Sequence, residues 1–166
     1  MSKLTVADYI TEYLASNGIR HVFGYIGGAV IHIVNSLSKS NKTDFIQFYH
    51  EQNAAFAAEG YARHTGHFGV ALATSGPGAT NMITSIANAY FDSIPVLYLT
   101  GQVNTYEYKK GKPVRQQGFQ ETDIVSIVKP VTKYAVIVMS ANMIRLELEK
   151  ACHLAKTGRP GPVVLD

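Results

Sequence analysis

Phe48-Tyr49-His50-Glu51-Gln52-Asn53-Ala54-Ala55-Phe56-Ala57-Ala58-Glu59-Gly60-Tyr61-Ala62-Arg63 is the stretch on which the reading of the fold turns. An apolar run ends there, and a helix opens with an acid. At about 3.6 residues per turn, Glu51, Ala54, Ala55, Ala58 and Ala62 fall on one face, so a carboxylate tops a stripe of very small side chains. Such a stripe lets another backbone come close. A glutamate in a first turn is favoured by the helix dipole alone and is usually a solvated end charge, so spacing assigns this residue no chemistry.

Upstream, Phe45 to Tyr49 reads as a strand; downstream, the helix stops at about Thr65-Gly66. Phe68 to Thr74 is an apolar strand without alternation, as expected when both faces of a parallel sheet are covered. Ser75-Gly76-Pro77-Gly78 breaks it. Pro77 suits a first helical turn, and Met82, Ile83, Ile86, Ala89 and Tyr90 supply an apolar face up to Asp92. Ile94 to Thr100 is another buried strand, closed by Gly101.

Towards the N-terminus, Thr5-Val6-Ala7-Asp8 reads as a cap followed by a helix ending near Gly18. His21 to Gly24 is a short strand, and Tyr25-Ile26-Gly27-Gly28-Ala29 is a glycine turn into a helix through about Ser38. Towards the C-terminus, periodicity is lost from Val103 to Gly118, where Lys109, Lys110, Lys112 and Arg115 make a basic, mobile loop. Phe119 to Val125 is expected to be a short helix, Val131 to Val138 a strand and Ala141 to Lys156 a helix. Val163-Val164-Leu165 is a last strand, in mid-sheet. The alternation predicts one domain, 1–166, of class α/β: a three-layer α/β/α arrangement with a mostly parallel sheet of about six strands. In such sheets, sites form beyond the carboxyl ends of the strands, where Tyr25 to Ala29, Glu51, Thr74 to Asn81 and Gln102 all fall.

Composition excludes several classes. Only 16% of the residues are charged, a low share for a free-standing surface, and the formal net charge is +3. Apart from the one loop the charge is scattered, so no nucleic-acid partner is expected. Met1 to Asn17 is amphipathic with Asp8 and Glu12 inside it, so it is neither a signal peptide nor a membrane span, and a cytoplasmic location is expected. The single cysteine, Cys152, sits on a helical apolar stripe and reads as a buried thiol.

His50 to Arg63, followed in order by Thr74-Ser75-Gly76-Pro77-Gly78-Ala79-Thr80-Asn81, resembles the N-terminal, pyrimidine-binding domain of thiamine diphosphate enzymes, and most closely the acetolactate synthase group. The resemblance runs through nearly the whole chain. It implies a piece of a longer chain whose central and pyrophosphate-binding domains lie outside these residues. It implies a carboligase or decarboxylase acting on a pyruvate-like 2-oxo acid, with thiamine diphosphate, magnesium held by the absent domain, and room for FAD in the full-length enzyme. It further implies a homodimer or tetramer in which a second subunit's pyrophosphate-binding domain completes the site.

The glutamate matching Glu51 hydrogen-bonds the cofactor's aminopyrimidine in that family and manages its proton. Tyr25, Gly27, Gly28, Thr74, Pro77 and Asn81 match cofactor-side positions, and Gln120 in Phe119-Gln120-Glu121-Thr122-Asp123 matches the segment that reaches the reaction centre. Ile26 departs from the proline common among the synthases. The basic loop over 106–118 departs as well, being longer, and looks more like synthase-related enzymes found with surface-polysaccharide or amino-sugar pathways; a phosphorylated or nucleotide-linked acceptor would suit it, and a solvated charge run accounts for its lysines without one.

From the residues alone, a glycine loop at a helix N-terminus is also a ready anion site, which keeps open a nucleotide- or flavin-binding module, or a non-catalytic interaction domain of the same fold. No Gly-x-Gly-x-x-Gly follows the first strand, which counts against a dinucleotide. His50 is expected to pack or cap beside Glu51. His64 and His67 lack a second ligand pair, so no metal site is assigned. Glu59 and Arg63 read as a helix-face ion pair. Finally, Ala54, Ala58 and Ala62, with the Ala79 to Ala89 helix, are expected to form a self-association face.

Overall fold

The computed structural model describes residues 4–166. The strands are β1 (His21–Gly24), β2 (Asp44–Gln47), β3 (Gly69–Ala73), β4 (Val96–Thr100), β5 (Tyr134–Val136) and β6 (Val163–Leu165). They make one six-stranded sheet in the order β2-β1-β3-β4-β6-β5, and each pairing is parallel. The helices are α1 (Val6–Ser16), α2 (Ile31–Lys39), α3 (Glu51–Thr65), α4 (Pro77–Thr80), α5 (Ile83–Phe91), α6 (Ile124–Val128) and α7 (Ile144–Lys156). No helix among the described residues is long and apolar enough to cross a membrane.

The central strands β3 and β4 are buried at every position, which is why their sequences show no alternation of polarity. Alternation survives in size instead. Val70 and Leu72 face the core with Leu14 of α1, Leu37 of α2 and Leu148 of α7, whereas Ala71 and Ala73 face Ala55, Ala58 and Ala62 of α3. Alanine against alanine lets α3 lie close to the sheet. The small stripe of α3 therefore serves its own chain, since Ala54, Ala55 and Ala58 have no exposed surface and Ala62 is buried. The expectation of a self-association face through Ala54, Ala58 and Ala62 is thereby corrected.

End signals hold where they are local. Thr5 Oγ1 accepts from Asp8 N at 3.1 Å, and Asp8 in turn accepts from Ser36 Oγ at 2.8 Å, joining α1 to α2. His50 caps α3, its Nδ1 accepting from Gln52 N at 3.2 Å, and α3 ends at Gly66, whose φ is 73°. Cys152 is fully buried, and burial pushes its thiol up to about 12.

Other boundaries differ. The strand expected over Phe45 to Tyr49 ends at Gln47: Phe48 N donates to Gly24 O at 2.8 Å, and Tyr49 then turns out, 86% exposed. The helix expected from Pro77 to Asp92 is two helices, broken where Met82 N donates to Ala79 O in a tightened turn. The strand expected over Val131 to Val138 narrows to β5, an edge strand paired only with β6 and preceded by a 3-10 turn through Pro130.

Candidate functional site

The carboxyl ends of β1, β3 and β4 release Tyr25, Thr74 and Gly101 at one edge of the sheet. Glu51 opens α3 and is only 8% exposed. Its Oε2 accepts from Asn81 Nδ2 at 2.9 Å, and its Oε1 has no hydrogen-bond partner among the described residues. Asn81 arrives there because α4 ends at the tightened turn before α5. One oxygen is fixed and the other remains available.

Thr74 is wedged between two glycines. A Cβ at Gly27 would lie 2.4 Å from Thr74 Cβ, and one at Gly78 would lie 2.7 Å from Thr74 Cγ2. Ala29 N donates to Thr74 Oγ1 at 3.4 Å, which ties the first glycine turn to the second. The same Cβ at Gly78 would stand 3.3 Å from Glu51 Oε1, so glycine there leaves the carboxylate uncovered. Of the residues singled out from sequence, Glu51, Asn81, Thr74 and Gly27 are thus brought together. Tyr25, Gly28 and Pro77 lie on the exposed rim, Tyr25 with 38% of its surface free.

Gln120 joins the group by an unexpected route. It does not start a helix; α6 begins only at Ile124, where Asp123 caps Ser126 N at 3.1 Å. Gln120 instead adopts a left-handed backbone with φ 59°, and it abuts Gly76, where a Cβ would lie 2.7 Å from Gln120 O and 2.8 Å from Gln120 Cβ. Gly76 itself sits at φ 60°, so a side chain there is excluded twice.

Sequence reasoning passed over two acids, Glu121, which is buried, and Asp166, which is partly buried. Glu121, 6% exposed, accepts from the backbone N–H of Lys109 at 2.9 Å, Gln117 at 2.7 Å and Gly118 at 3.3 Å. Burial works to raise its carboxyl, but the N–H groups of Gln117, Lys109 and Gly118 outweigh burial and hold it below the ordinary range. The irregular basic loop is therefore tied down from within. Asp166 follows β6, accepting from Thr100 Oγ1 at 2.6 Å and Gln102 Nε2 at 2.8 Å, and burial pushes its carboxyl up to about 6. Asp166 carries no local signal, because Thr100 and Gln102 lie far away in the chain, and Glu121 reaches beyond its own turn to Lys109, 12 residues away.

Glu59 and Arg63 do pair at 3.1 Å, but Glu59 is buried and also accepts from Asn88 Nδ2 at 2.8 Å. Arg63, itself exposed, extends the contact to Asp92, so the helix-face pair also links α3 to the end of α5. The anion reading of the glycine loop loses force here. Pro77 offers no N–H, and the Glu51 carboxylate stands against Gly78, repelling negative charge.

Residues 4–127 match the family described as thiamine pyrophosphate enzyme, N-terminal TPP binding domain. The acetolactate synthase isozyme 3 large subunit of Escherichia coli is 46% identical over all of this chain, which covers 28% of that protein. The acetolactate synthase large subunit of Buchnera aphidicola from Schizaphis graminum is 45% identical over the same share of each. The mitochondrial acetolactate synthase catalytic subunit of Saccharomyces cerevisiae is 41% identical over 98% of this chain and 23% of its own length. The chain thus spans about a quarter of the length of these curated relatives. The match covers α1 through the carboxylate at α3 and on into α6, and on that basis this chain belongs to the thiamine pyrophosphate enzyme N-terminal TPP-binding domain family.

Proposed function

We propose that this chain is the pyrimidine-binding domain of a thiamine diphosphate-dependent carboligase or decarboxylase of the acetolactate synthase type, in which Glu51 holds and moves the proton at the aminopyrimidine ring. The observation that carries the reading is the state of one side chain: a nearly buried carboxylate at a helix start, with Oε2 held by Asn81 and Oε1 unpaired beside a glycine. An aminopyrimidine ring fits that arrangement, because a flat group needs an open shelf and a ring nitrogen needs an acid at its edge.

When bound, thiamine diphosphate supplies the electron sink for decarboxylating a pyruvate-like 2-oxo acid. The chain's own tasks are positional. Asn81 fixes the plane of the Glu51 carboxylate, and Thr74 with Gly27 and Gly78 forms the shelf. Tyr25, Gly28 and Pro77 border it, and Gln120 stands at the substrate side. Among the described residues no group of three or more His, Cys, Asp or Glu side chains could hold a metal ion. In this reading magnesium and the pyrophosphate belong to the pyrophosphate-binding domain of a second subunit in a homodimer or tetramer, with any FAD held elsewhere in the longer chain.

Replacing Glu51 by glutamine in the full-length enzyme tests the assignment. Size and hydrogen-bonding reach survive while proton transfer does not, so exchange of the cofactor C2 proton, followed by NMR, slows by roughly a hundred- to ten-thousand-fold. Circular dichroism and cofactor affinity report on folding. Near-normal exchange in a folded Glu51→Gln enzyme overturns the proposal.

A further inference from the structure

Glu121 touches neither Glu51 nor the glycine shelf, yet its place ties two things together. Its carboxylate gathers backbone N–H groups from both ends of the basic loop, Lys109 on one side and Gln117 and Gly118 on the other. The next residue towards the N-terminus is Gln120, held left-handed with its carbonyl and Cβ against Gly76. The following residue is anchored too, since Thr122 O accepts from Gln102 Nε2 at 2.8 Å. A non-glycine residue in the left-handed region is sustained only where its surroundings over-determine it. Here the clasp on one side and the Gln102 bond on the other do so.

We propose that Glu121 is a positioning residue: by closing the basic loop around its carboxylate it sets Gln120 against the Gly76 turn, and its effect on the reaction passes through Gln120. This rests on the assignment of Gln120 to the substrate side of the site. Glu121 acts on a step that follows cofactor activation by Glu51, and the two roles separate by experiment.

In the full-length enzyme, Glu121→Gln replaces one accepting oxygen by a donor facing backbone N–H groups. Loop opening is read by trypsin, for which Lys109, Lys110 and Arg115 are sites within the loop, Lys112 being shielded by Pro113. Cleavage there is expected to accelerate about tenfold or more, and turnover of a 2-oxo acid to fall about tenfold or more, as for lost hydrogen bonds to a charge. C2 proton exchange is expected to stay within about twofold of the parent, as for a residue outside the activation step. The double variant Glu121→Gln with Gln120→Ala is expected to turn over no more slowly than Gln120→Ala alone, since residues acting as a unit are not additive. Glu121→Asp, which keeps the charge and shortens the reach, falls between parent and glutamine on both readouts and supplies the same comparison if the glutamine variant does not fold. Multiplying losses in the double variant, an opened loop with unchanged turnover, or an unopened loop each overturn the proposal. Normal C2 exchange in Glu51→Gln would instead strike the assignment of Glu51, leaving the trypsin result to decide the clasp.

Discussion

Gly69 passes under Ala58 so closely that a Cβ on Gly69 would lie 2.0 Å from the Ala58 carbonyl oxygen. The contact is backbone against backbone, and it fixes how near α3 can come to β3. It also sets the height of Glu51, which begins the same helix two turns earlier.

Gly69→Ala is therefore expected to destabilise the protein by about 3 kcal/mol or more, because neither backbone can yield without moving the helix. Gly60→Ala supplies the opposite sign. Gly60 lies in the same helix with open space where a Cβ would go, so alanine there should stabilise by about 0.5–1 kcal/mol. Thermal unfolding of the two variants checks the pair, and a similar midpoint for both would refute the close-packing account.

Asn81→Ala removes the donor that orients Glu51. A hydrogen bond to a charged group is worth about 1.5–3 kcal/mol, so C2 proton exchange should slow roughly ten- to a hundredfold, less than in Glu51→Gln. Exchange at the parental rate would show that Glu51 needs no such orientation.

Tyr98 is fully buried, and its hydroxyl meets Ser85 Oγ at 3.0 Å behind α5. Tyr98→Phe strands the serine and should cost about 1–3 kcal/mol. Adding Ser85→Ala removes the stranded group and should restore part of that loss, which denaturant titration of the single and double variants measures.

Asp166 makes stability depend on pH in an unusual direction. Its carboxyl is pushed up to about 6 by burial, so between about 4 and 6 the folded state keeps a proton that the unfolded chain has released. The stability tied to this group is present at low pH and is lost as pH rises through 6, by roughly 3 kcal/mol at most. Unfolding midpoints of the parent and Asp166→Asn should therefore diverge in favour of the variant as pH climbs from 4.5 to 7.5. A constant gap would remove the burial effect.

Local signals in the chain were sufficient for the element types, the parallel sheet and the limits of α3, because periodicity, caps and glycine stops act over a few residues. His50 and Gly66 end α3 where the sequence says they should. The same short-range information places Glu51 and Thr74 to Asn81 at strand ends, and the motif order identifies the family. Tertiary structure alone decided which neighbour each surface meets. The alanine stripe that a helical projection leaves free to pair with any backbone meets β3 of its own chain, because β3 presents Ala71 and Ala73 on that side. Gln120 is left-handed, and Glu121 buried, because their partners are Gly76 and the backbone of a loop that closes 12 residues away, at Lys109. Contacts of that kind depend on where the chain returns in space, and no periodicity in the sequence records it.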